Sequence, residues 1–330
     1  MATIYYVDPS VGDDGNLGTS EGIGNAWETI QYALDQMTVA GDICYVKASA
    51  TISTTANIDV DITAGTAAAP IRLIGYTSTP GDCGQVTIQA SSSHDYMFIC
   101  TQDYHTYENF ILDGNGNITY DGFYASSGDN CRYINLEIDD MGRHGMLIND
   151  YNIVDRCYIH DIGGWGIDCD PGDFNKIMNS VFATCVSGAI TADNHNAIIG
   201  NLFYNNSGFA IDADADSFIM GNTIVAGALG VLDGINLANS FGDVIMNNII
   251  TGFDTGGKFG IVTANPAYLD GNAFYTNDGD VSGSTEGPDT VTLSANPFVN
   301  ATSDFSLNET AGGGLACRNA GITIVNKLQG

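Results

Sequence analysis

Asp168 and Asp212 share one position of a recurring phrase with Thr191 and Asn236, and Asp170, Asp193 and Asp214 recur two places further on. If these segments are strands, alternation turns both sets towards the same outer face. Carboxylates gathered over neighbouring turns can supply oxygen ligands to Ca2+, or an acid and a base flanking a glycosidic bond. The alternative is ordinary turn chemistry, because aspartate bonds readily to its own backbone. Asp212-Ala213-Asp214-Ala215-Asp216 starts like a calcium loop of the EF-hand type, but the glycine and later glutamate of that loop are missing. Arg143-His144, with Arg156, His160 and Asp161 about one repeat later, forms the one compact basic group and is a candidate for acid–base work along a groove. The competing reading is histidines bonded to backbone beside Gly-rich turns. Trp165, Tyr124 and Tyr151 offer ring faces to a sugar, and Tyr104, Tyr107, Tyr120 and Tyr204 are further groove candidates.

The elements that must position these groups are visible as a repeat. Ile177-Met178-Asn179-Ser180-Val181-Phe182, Ile198-Ile199-Gly200-Asn201-Leu202-Phe203 and Ile219-Met220-Gly221-Asn222-Thr223-Ile224 restate one pattern, continued by Ile245 to Ile250 and Tyr268 to Phe274. The anchors Ile138, Ile159, Phe182, Phe203, Ile224, Ile250 and Phe274 are separated by 21, 23, 21, 21, 26 and 24 residues. A second strand keeps step at Ile167, Ile190, Ile211, Ile235 and Ile261. A period in the low twenties is one coil of two or three short strands, so the chain is expected to be an all-β parallel β-helix solenoid. Successive coils about 4.8 Å apart stack the Ile and Phe anchors inside. Asn201, Asn222, Asn248 and Asn272 then form a ladder of buried amides, continued downward by Ser180 and Cys157. Leucine-rich and propeller repeats lack support, because their consensus residues are absent.

Both ends of such a coil need covering. Asn25-Ala26-Trp27-Glu28 reads as a capping box leading into a short amphipathic helix through Ile30, Ala33, Leu34 and Met37. The chain divides into residues 1–46 as an amino-terminal strand and capping helix, 47–275 as the β-helix and 276–330 as a closing segment, all one domain.

Composition narrows the partners. Thirty-nine acidic against nine basic residues give a net charge of -30, which repels nucleic acid and anionic membranes. Only six of the acids are glutamate, consistent with a turn-rich chain carrying 41 glycines. The eight scattered cysteines read as buried thiols rather than a disulfide framework, and no CxxC or paired Cys/His spacing indicates zinc. There is no signal-peptide pattern at the amino terminus and no apolar run long enough to span a membrane.

The coil length, the asparagine ladder and the mixed Ile/Val/Phe stacks resemble the right-handed, pectate-lyase-like parallel β-helix superfamily, which extends from polysaccharide lyases and hydrolases to phage tailspikes. Tyr5-Tyr6-Val7-Asp8-Pro9 and Gly41-Asp42-Ile43-Cys44-Tyr45-Val46 are similar to the opening of such repeat proteins. Asn296-Pro297-Phe298, Asp304-Phe305-Ser306-Leu307 and Ala320-Gly321 are similar to their close. The resemblance implies three functions: a virion-associated spike, fibre or capsid decoration that recognises a glycan; a polysaccharide lyase or glycoside hydrolase; or a bacterial surface or adhesion module. Its lyases use Arg or Lys as base, with basic residues or Ca2+ neutralising a uronate, whereas the lyase Arg motifs and the hydrolase Asp-pair motifs are not found here. The implied partners are a cell-surface or extracellular polysaccharide and other virion proteins, with a homotrimer among the assemblies the resemblance allows. The expected location is the virion or the extracellular space. No cofactor is required, and Ca2+ is the ion the acidic face would take.

Overall fold

The protein, described by a computed structural model over residues 1–227, 232–237 and 241–320, is a parallel β-solenoid. Each coil contributes one short strand to each of three sheets. Among the described residues, the first and second sheets have 11 strands each and the third has 10. In one coil these strands are Ile153–Asp155, Tyr158–His160 and Trp165–Cys169. The coil is longer than the repeat alone indicates. Ile4–Val7 already pairs in parallel with Ile43–Lys47, and Gly279–Ser282 and Val291–Thr292 extend the third and second sheets at the far end.

Parallel registration puts like residues on like residues. Ile177, Ile198, Ile219, Ile245 and Leu269 form one buried column of the first sheet. Phe182, Phe203, Ile224, Ile250 and Phe274 form that of the second, with the Phe182 and Phe203 rings stacked at 5.1 Å. Ile167, Ile190, Ile211, Ile235 and Ile261 line the third.

The corner between the first and second sheets carries the expected ladder. Backbone N–H groups of Cys157, Ser180, Asn201, Asn222 and Asn248 donate at 2.9–3.1 Å to the side chain one coil above. The Asn201, Asn222, Asn248 and Asn272 amides donate at 2.9–3.0 Å to the carbonyls of Ile177, Ile198, Ile219 and Ile245. This satisfies corner backbone groups that water cannot reach. A second ladder stands at the corner between the third and first sheets, where the N–H groups of Cys131, Asn152 and Asn175 donate to Asn152, Asn175 and Asn196, and Ser217 donates to Asp243.

The ends differ from expectation in detail. Helix α1, Ile30–Gln36, covers the amino-terminal opening, with Ile30, Ala33, Leu34 and Met37 in one buried cluster with Ile58 and Val60. The Asn25–Glu28 capping box does not form. Thr29 caps the helix by accepting from the Tyr32 N–H, because Asp14 holds the Glu28 and Thr29 N–H groups and sets the entry one residue later. At the other end, Phe298–Asn300 and Asp304–Leu307 pair as an antiparallel hairpin. Phe305 packs against Tyr204 at 5.3 Å, so the closing segment folds back over the second sheet. Helix α2, Gly314–Ala320, follows, and Gly321 lies outside the described residues.

No helix among the described residues is long and apolar enough to cross a membrane. No disulfide forms among them: six of the eight cysteines are buried thiols, with Cys83 exposed and Cys317 half-buried. Burial pushes the Cys131 and Cys157 thiols up to about 12.

Candidate functional site

The outer face of the third sheet collects most of the chemistry-bearing residues. Its outward column runs Tyr124, Leu147, Asp168, Thr191, Asp212, Asn236, one residue per coil. Arg143 and His144 stand at the corner where the chain enters this sheet. The Arg143 guanidinium donates twice to Asp121, from Nε at 2.9 Å and Nη2 at 2.5 Å, and the His144 N–H donates to the same carboxylate at 3.1 Å. Asp121 is fully buried. This fork holds the Arg143 pKa above its ordinary value, chiefly through the Asp121 hydrogen bonds, which favours the charged guanidinium and disfavours a role as base. It lies over the Tyr120 ring, 5.2 Å from its centroid, and Tyr96 joins Tyr120 and Tyr124 at centroid distances of 5.6 and 4.6 Å.

His144 links this cluster to the acidic column. Its Nδ1 accepts from the Trp165 N–H at 3.2 Å, which leaves the proton on Nε2, 3.3 Å from Asp168. Burial lowers the His144 pKa and raises that of Asp168. Trp165 lies across Gly188 of the next coil. A Cβ there would stand 2.1 Å from the indole, so the platform requires glycine at 188.

Beyond Asp168 the face opens into a cleft of about 210 Å3 lined by Asp170, Thr191, Asp193, Asp212, Asp214 and Asn236. Asp168 does not line it, because its carboxylate is engaged by His144 and by the Asp170 N–H at 2.9 Å. Asn236 donates to Asp212 at 2.7 Å and Asn194 to Asp193 at 2.5 Å. Burial raises the pKa of both Asp212 and Asp193. These carboxylates do not converge: among the described residues, the one set of three potential ligand atoms within 4.8 Å of one another is Asp139, His160 and Asp161.

The remaining candidates are distributed elsewhere. Arg156 occupies the corner between the first and second sheets, exposed and paired with Asp155 at 3.3 Å, away from the Arg143 corner. His160 and Asp161 close the second-sheet strand of their coil. Tyr151 sits at the opposite corner, stacked on Phe174 at 5.0 Å, and Phe174 on His195 at 4.6 Å. One face of Tyr151 is therefore already taken. Tyr107 is interior, stacked with Tyr133 at 5.5 Å, because its register follows Leu73 in the core column. Tyr204 is covered by Phe305. Asp121 and Tyr96 were not singled out in the sequence. Their signal was the coil offset, since Asp121 lies 22 residues from Arg143 and thus one rung below it.

Three parallel sheets wound as one coil, with polar ladders at the corners and a polar aromatic face on the third sheet, define a parallel β-helix. The family model described as "Right handed beta helix region" matches residues 82–228. Its fold is similar to pectate lyase Pel9A, at 17% identity and TM-score 0.61 over 94% of this chain and 91% of that one. It is also similar to the GH136 lacto-N-biosidase from Eubacterium ramulus, at 13% identity and TM-score 0.62 over 86% of this chain and 67% of that one. A third similar structure, ORF18 of Geobacillus virus E2, shares 15% identity at TM-score 0.50 over 82% of this chain and 53% of that one. At these identities the likeness concerns the fold alone. No curated protein matches the chain in sequence.

Proposed function

We propose that this is a glycan-recognising β-helix of a virion, a spike, fibre or capsid decoration, that binds a cell-surface or extracellular polysaccharide along the outer face of its third sheet. The observation that carries this reading is the Tyr96, Tyr120, Tyr124 cluster held beside an Arg143 whose guanidinium is locked by buried Asp121. Ring faces take the apolar side of a pyranose, and a fixed guanidinium takes hydroxyl or carboxylate oxygens. From Tyr124 to Asp212 the outward column spans four coil steps, about 19 Å, room for several sugar units in a row. The fold likeness to a pectate lyase and to a virus protein supports the reading. Calcium is not needed for it; where Ca2+ binds this face, the cleft of Asp170, Asp193, Asp212 and Asp214 is the place.

A second reading, a glycoside hydrolase, has one observation in its favour. Asp168 and Asp212 face outward two coil steps apart, about 9.6 Å between backbones, near the carboxyl separation of inverting enzymes. Burial raises the pKa of both, as an acid catalyst needs.

The test is isothermal titration with a panel of neutral and uronate oligosaccharides. Tyr124→Ala removes one face of the platform from a half-buried position and is expected to weaken the best ligand by about 1–3 kcal/mol, with an unchanged melting curve. Equal binding by the wild type and Tyr124→Ala would remove the third-sheet face as the site.

A further inference from the structure

A separate cluster lies at the edge of the second sheet. His160 Nδ1 is 2.8 Å from Asp161 Oδ2 and 3.4 Å from Asp139 Oδ1, and its Nε2 is 3.4 Å from Glu137 Oε1. Both ring nitrogens thus face carboxylate oxygens, although a neutral imidazole has only one N–H to offer. Three carboxylates surround one histidine in a chain already carrying a net charge of -30, and Asp113 and Asp140 add like charge beside Asp139. An imidazolium or a bound metal ion supplies positive charge to such a cluster. Its ligand atoms are already gathered: one each from Asp139, His160 and Asp161 lie within 4.8 Å of one another.

The neighbouring structure holds the ligands in place. Asp139 and His160 are register partners on adjacent coils. Asp161 is fixed by Thr184 of the next coil, whose hydroxyl donates to Asp161 Oδ1 at 2.8 Å and accepts from the Asp161 N–H at 2.9 Å. Tyr158 stacks on the imidazole at 4.1 Å and sets its plane.

We propose that Asp139, His160 and Asp161, with Glu137 at the margin, form a binding site for a divalent transition metal of the zinc type, clamping two adjacent coils. Mixed imidazole and carboxylate donors suit Zn2+, whereas Ca2+ and Mg2+ prefer oxygen alone. Asp139 comes from one coil and His160 and Asp161 from the next, which is why no local Cys/His spacing announces the site. The site is independent of the glycan face.

Titrating the intact protein with ZnCl2 by calorimetry tests this, alongside Co2+ absorption spectra that report nitrogen and oxygen coordination. The expected result is one Zn2+ per chain, a raised melting temperature, and a d–d spectrum with Co2+. His160→Ala and Asp161→Asn should each weaken binding by at least about tenfold, while Glu28→Gln in the amino-terminal cap leaves it unchanged. Both variants are compared with the wild type by far-ultraviolet circular dichroism, and Asp161→Asn, at an exposed position, keeps the test open if His160→Ala folds poorly. No Zn2+ binding, unchanged affinity in a folded variant, or displacement of Zn2+ by equimolar Ca2+ would overturn the proposal.

Discussion

Replacing Phe203 by alanine is expected to cost about 3–5 kcal/mol of stability, read as a lowered denaturation midpoint. Phe203 is fully buried in the second-sheet column, with the Phe182 ring 5.1 Å away on one side and Ile224 in register on the other. Truncation removes the transfer energy of the ring and leaves a cavity that the coil cannot close, because the spacing of its neighbours is fixed by the strand ladders above and below. Phe203→Leu keeps most of the volume and should cost less than about 1.5 kcal/mol. A loss below about 1 kcal/mol for Phe203→Ala would mean that the second-sheet column is not the core.

The second large effect is expected at Asn222. Its Oδ1 accepts from the Asn201 N–H at 2.9 Å and its amide donates to the Ile198 carbonyl at 2.9 Å, all of them buried. Asn222→Leu keeps the volume but strands that donor and that acceptor away from water, for a combined loss of about 2–5 kcal/mol. Glycan affinity should not change, since the ladder stands at the corner between the first and second sheets, away from the third-sheet face. A variant of wild-type stability that no longer binds the glycan would make Asn222 a site residue instead of a structural one.

These two positions were legible in the sequence because parallel stacking places identical side chains one coil apart. The four-residue asparagine column and the Ile177 to Ile245 column both follow from that offset. The second ladder was not seen, because Ser217 and Asp243 interrupt its asparagines and a mixed column does not repeat visibly. Tyr107 reads as a groove residue by type, yet register with Leu73 turns it inward. The basic group was legible as a neighbourhood in sequence and not in space: Arg143 and Arg156 stand at different corners of the coil, and Arg143 belongs to Asp121 one coil below. Pairs separated by one coil length carry the site, as with Arg143 and Asp121, His144 and Asp168, and Asp139 and His160, and composition conceals them.

On the proposed function, the polar aromatic face is expected to bind a chain of sugars without cleaving polyuronates. Lyase chemistry needs a base beside the uronate, and the fork onto Asp121, which raises the Arg143 pKa, makes Arg143 a poor one. Arg156 is at another corner, and the net charge of -30 disfavours an anionic polymer that no cation bridges. The most direct measurement incubates the purified protein with pectate, alginate and related polyuronates, with and without Ca2+. Unsaturated product is followed by ultraviolet absorbance, and new reducing ends are assayed in parallel. The expected result is binding to a glycan with no accumulation of unsaturated product. Robust turnover that disappears in Arg143→Ala would contradict it and make the third-sheet face a lyase active site.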